Sequence, residues 1–164
     1  MLSMTAERFQ GDDSDPGLTW EDLGRGAPTI IALAKLASHA ISAGPKPSDD
    51  LSNEAKAILY TAKERGVVAV QGSNKAFDSV DRFLAVHVEV DPDTVVAFKS
   101  KENPRVTVRF LDGLRQLCAA GLVIHQLYRE FSLSPTGFEV AHVVNPDDVQ
   151  EQLEQGNKLG RHEW

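Results

Sequence analysis

The stretch Phe110–Val143, FLDGLRQLCAAGLVIHQLYREFSLSPTGFEVAHV, decides how the chain folds. At about 100° per residue, Val106, Phe110, Leu111, Leu114, Leu117 and Cys118 gather on one side of a helix over residues 105–120. Arg105, Arg109, Asp112, Arg115 and Gln116 gather on the other. Asn103-Pro104 opens this helix and Gly121 ends it, because glycine enters a left-handed turn without a Cβ penalty. Leu122–Leu127 then reads as a strand with Glu130–Leu133 as its partner. Ser134-Pro135 combines an oxygen cap with a preset φ and starts a short helix to about residue 143.

Working outward toward the N-terminus, residues 94–99 and 83–90 form a predicted hairpin around Asp91-Pro92-Asp93-Thr94. Its first strand alternates Leu84, Val86, Val88 and Val90 with Phe83, Ala85, His87 and Glu89, so one face is expected to be drier. A helix over 53–65 is capped by Ser52 and closed by Gly66, and Val67–Val70 follows as a strand. Gly72-Ser73-Asn74 breaks that strand before a helical turn or two at 75–81, and residues 45–51 read as a linker. Residues 28–43 form an earlier helix that starts at Pro28 and stops at Gly44-Pro45. Ile30, Ile31, Leu33, Ala34, Ala37 and Ile41 leave it one narrow polar stripe, so its own domain or a partner subunit must cover it. These six residues are the candidate oligomer interface.

The core is expected from Ile58, Leu59, Val68, Phe83, Val86, Val88, Phe110, Leu114, Leu117, Leu122, Ile124, Phe131, Leu133 and Phe138. The division is an acidic tail over 1–26, one domain over 27–144, and a polar helix and tail over 145–164. Within the first segment Leu18, Trp20 and Leu23 make a short anchoring element.

The 164 residues are 41% hydrophobic and 25% charged, which suits one globular domain. A single cysteine allows no internal disulfide, and no apolar run reaches the length of a spanning helix. No basic-then-apolar leader opens the sequence, so the expected setting is a reducing cytoplasm, away from membranes. The net charge of −7 is uneven. Residues 1–24 carry six acids against Arg8, and residues 145–164 carry five against Lys158 and Arg161, whereas residues 99–131 hold six bases against three acids.

The Phe110–Val143 stretch resembles the second half of a winged-helix domain. The resemblance rests on Leu114 and Leu117, the step Gly121-Leu122-Val123, the two wing strands, and the closing step Leu133-Ser134-Pro135-Thr136-Gly137-Phe138. The helix at 53–65 and the strand at 67–70 fit the first half. Two departures stand in the sequence: residues 82–100 insert a hairpin, and the wing turn Leu127-Tyr128-Arg129-Glu130 contains neither Gly nor Asn. The resemblance implies an α+β, winged-helix-like domain with an inserted hairpin and an extra N-terminal helix.

Such a domain can read DNA. Arg105, Arg109, Arg115 and Gln116 are then the groove-facing set, because Arg and Gln make bidentate contacts with base edges. Arg129, Lys99 and Lys101 are then the phosphate-holding set. Against this stand the acidic balance and Asp112 in the middle of the reading face. The five histidines show no metal spacing, although His87 and Glu89 share a strand face. Cys118 sits among apolar residues as an inert thiol, no Gly-x-Ser-x-Gly elbow occurs, and Gly24-Arg25-Gly26 is not followed by Lys-Ser or Lys-Thr. No catalytic residue, metal or cofactor is expected.

The expected function is therefore a non-catalytic, winged-helix-like interaction module, an accessory or regulatory protein of bacterial type. Its partner is another protein or a second copy of itself, as a homodimer through residues 28–43. The alternatives are a DNA-binding regulator and, third, an enzyme whose site is assembled from residues remote in sequence.

Overall fold

Three of the helices start where a short polar side chain satisfies an otherwise orphaned backbone N–H. The computed structural model describes residues 27–44, 50–72 and 82–160. Helix α1 is Ala27–Ala43, followed by α2 (Asn53–Ala62), whose cap Ser52 accepts from the Ala55 amide. Strands β1 (Val67–Gln71), β2 (Ala85–Asp91) and β3 (Thr94–Phe98) lead to α3 (Pro104–Ala119), capped by Asn103. Strands β4 (Val123–Leu127) and β5 (Glu130–Leu133) precede α4 (Pro135–Val143), capped by Ser134. A 3-10 turn at Pro146–Val149, the short α5 (Gln150–Glu154) and β6 (Gly156–Gly160) complete the described chain.

The strands form one antiparallel sheet in the order β4-β5-β1-β2-β3-β6. Register places Val68, Val88 and Val96 in one row and Val70, Val86 and Phe98 in the next. Successive side chains alternate across a strand, so these residues share one face. They meet α2 and α3 there, and Phe98 stacks on Phe110 with ring centroids 4.4 Å apart. The arrangement is a mixed α+β fold with its core between this face and the helices.

Glycine allows two close approaches that build the core. A Cβ on Gly113 of α3 would stand 2.9 Å from the Ala55 backbone nitrogen, so the missing side chain lets α2 and α3 cross closely. A Cβ on Gly137 would stand 2.0 Å from the Leu122 carbonyl oxygen, which seats α4 against the start of the β4–β5 hairpin.

Most of the expected core is buried, while Phe83, Ile124 and Phe138 are half-buried at its margin. Three expectations change. Helix α2 ends at Ala62 rather than 65, because the Lys63 amide turns back to the Tyr60 carbonyl. Strand β2 is buried on both faces rather than one: Ala85, His87 and Glu89 are covered along with Val86 and Val88. On the side away from the helices His87 stands in a row with Ala69 and Ala97, and Arg65 engages Glu89. Residues 145–164 are not simply a polar helix and tail, since Val149 is fully buried and β6 joins the edge of the sheet beside β3. The expectations for residues 1–26, 45–49, 75–81 and 161–164 lie outside the described residues. No helix among the described residues is long and apolar enough to cross a membrane.

Candidate functional site

The helix proposed from sequence to face a groove is well formed, and its outward residues are partly committed. Arg105, Arg109, Asp112 and Arg115 are exposed on α3. The Arg115 Nε donates to Asp112 Oδ1 at 2.7 Å, and the Gln116 amide donates to Asp112 Oδ2 at 3.0 Å. These donors hold the Asp112 carboxyl below its usual range, Arg115 first and Gln116 after it. The Gln116 Oε1 in turn accepts from the Ser52 amide at 2.9 Å, fastening α3 to the start of α2. Gln116 thus closes a contact within the fold.

Arg105 and Arg109 make no ion pair with any described residue. Val108 stands beside them on the surface.

The other candidate cations lie elsewhere. Lys99 follows Phe98, whose ring points to α3, so the alternation of β3 directs Lys99 to the opposite face of the sheet. His87 lies on that opposite face too, between the core residues Val86 and Val88. Burial lowers its pKa to about 4; its hydrogen bond to the Ala85 carbonyl opposes this, and the charges of Lys99 and Arg129 add to it. The imidazole is therefore neutral at ordinary pH. Lys99 thus faces away from α3, which carries Arg105, Arg109 and Arg115, while Arg129 stands exposed at the end of the β4–β5 hairpin. Lys101 is exposed in the turn before α3.

His87 and Glu89 are brought together as expected, but Glu89 is engaged by Arg65 at 3.1 Å. Among the described residues no group of three or more His, Cys, Asp or Glu side chains could hold a metal ion. Burial pushes the Cys118 thiol up to about 12, which leaves it protonated and unreactive.

The six residues of the candidate oligomer interface divide. Leu33 and Ala37 are buried in the chain's own core, where α1 packs on α3 and β4. Ile30, Ile31 and Ala34 are half-buried, while Ile41 stays 40% exposed near Leu36. Intrachain packing thus covers Leu33, Ala37 and Ala40, and most of the remaining positions of that helix are exposed.

The feature that composition and periodicity passed over is the tip of the β4–β5 hairpin. Leu127 is 61% exposed and Tyr128 is 73% exposed, with Arg129 exposed next to them. Tyr128 adopts φ +52°, the one positive φ at a non-glycine among the described residues. That region costs an ordinary L-residue roughly 1–2 kcal/mol. The Arg129 carbonyl accepts from the Val70 amide at 3.0 Å, and the His125 Nε2 donates to the Tyr128 carbonyl at 2.6 Å. The signal for this strain was present in sequence: a tight turn without Gly or Asn must place some side chain where glycine is favoured.

Comparison with family models, curated proteins and solved structures returned no match to this chain.

Proposed function

We propose that the chain is a non-catalytic interaction module of winged-helix-like build, and that it meets protein rather than DNA. Apart from the β2–β3 hairpin inserted between β1 and α3, helix α2, β1, α3, β4, β5 and α4 come in the order the resemblance calls for, and β1 pairs with β5, so both halves share one sheet. Gly121 at φ +73° ends α3 and delivers Leu122 into the core, as the family's Gly-Leu step does.

The observation that carries the choice of partner is the division of the cations by the sheet. A duplex needs its base-reading and phosphate-holding groups on one continuous surface. Here Lys99 faces away from α3, and Arg115 and Gln116 of the would-be reading face are bound to Asp112. The hairpin tip instead offers Leu, Tyr and Arg in sequence, and Tyr and Arg are enriched among residues that dominate protein–protein affinity.

A second reading, DNA binding through α3, is favoured by Arg105 and Arg109, exposed one helical turn apart without an ion pair to any described residue. Fluorescence anisotropy with duplex DNA at physiological salt separates the two. The protein reading predicts binding weaker than about 1 μM, the tight end of ordinary non-specific affinities. Nanomolar, sequence-selective binding lost on Arg109→Ala would establish the DNA reading instead.

Light scattering tests self-recognition. A mass above 17.9 kDa that returns to the monomer value in Tyr128→Ser makes a second copy the partner; a monomer mass for both excludes self-recognition through the tip.

A further inference from the structure

We infer that His125 is a positioning residue for the hairpin tip, a clasp that holds Tyr128 in its left-handed conformation and so presents Leu127, Tyr128 and Arg129 as a preformed contact. This inference rests on the protein-contact reading of the tip, but its test needs no partner.

Three observations converge on the imidazole. Its Nε2 donates to the Tyr128 carbonyl at 2.6 Å, a short bond to the residue whose backbone carries the strain. Its ring stands edge-on to Phe131, with centroids 5.1 Å apart, and Phe131 is part of the core. Register pairs His125 directly with Phe131, and the next pair is Leu127 with Glu130, with an irregularity between them. The imidazole therefore links a fixed point in the core to the exposed end of the hairpin.

A side chain that merely packed on Phe131 would need no donor aimed at the turn. A turn that merely reversed the chain would carry Gly or Asn at 128 and need no clasp. Both costs together make sense when the conformation of the tip itself is what the chain retains. A tip ordered beforehand loses less conformational freedom when a partner arrives, which raises affinity without a new contact.

The glutamine side chain reaches about as far as imidazole and keeps an N–H donor, whereas leucine keeps the packing and removes the donor. The experiment is a thermal double-mutant cycle between His125→Leu and Tyr128→Gly in the full chain, with NMR backbone shifts reporting the φ of residue 128. Glycine occupies positive φ at no steric cost, so it has no need of a clasp.

The expected result is that His125→Leu lowers the midpoint by about 3 °C when Tyr128 is present and by less than about 1 °C when glycine replaces it. His125→Leu is expected to move residue 128 out of the positive-φ region, and His125→Gln to keep it there. Equal losses in both backgrounds, or a residue 128 that holds its φ in His125→Leu, would overturn the clasp while leaving the contact reading of the tip to its own test.

Discussion

Two turns seven residues apart solve the same backbone problem in opposite ways. At Gly121 the chain leaves α3 with φ +73°, and at Tyr128 it leaves β4 with φ +52°. The first position carries the residue that adopts this conformation freely. The second carries one of the bulkiest side chains, facing solvent. The Gly121 turn is also bound into the core: its carbonyl accepts from the Ser134 hydroxyl at 2.8 Å, and Leu122 behind it is fully buried. The first turn is built for the fold, and nothing there conflicts with stability. The second keeps a side chain that the fold by itself disfavours, and such conflicts concentrate at functional positions.

The sharpest way to break the Gly121 side is Gly137→Ala. The added methyl meets the Leu122 carbonyl, so α4 must lift from the β4–β5 hairpin, and urea unfolding should show a loss on the order of 4 kcal/mol. The next test uses acid. The folded chain keeps His87 neutral down to about pH 4, whereas the unfolded chain protonates it near 6.5. Stability is therefore whole above pH 6.5 and declines as pH falls toward 4, by about 3 kcal/mol in total; His87→Gln should flatten this slope in chemical unfolding measured across that range. Ser134→Ala should cost about 2 kcal/mol, since it removes the cap of α4 and leaves the Gly121 carbonyl without its donor.

The elements around Gly121 and Ser134 were largely legible in the sequence. The 3.6-residue period over 105–120, the Gly121 stop and the Ser134-Pro135 start each name a single backbone solution, so the helix, hairpin and helix of residues 104–143 could be read directly. Strand β6 could not. Its sequence, Gly156-Asn157-Lys158-Leu159-Gly160, has no β-branched residue, and its pairing comes from the long-range register with β3.

The double burial of β2 was hidden for a related reason, because alternation reports side-chain polarity while strand order decides cover. Of the candidate site, the α3 cations were legible as a helix face. Their separation from Lys99 was not, because which side of a sheet a residue meets depends on topology. The tip was half legible: the absence of Gly and Asn from 127–130 was visible, but its outward Tyr128 needed the φ angle.

The contrast between the two turns comes down to the stability of Tyr128→Gly. Relief of roughly 1–2 kcal/mol of left-handed strain should outweigh roughly 0.4–1 kcal/mol of added unfolded-state freedom. Thermal unfolding should therefore show the variant slightly more stable than the natural chain, with a midpoint about 2 °C higher. A midpoint below that of the natural chain would mean that Tyr128 serves the fold after all, and the contact assigned to the tip would lose its basis.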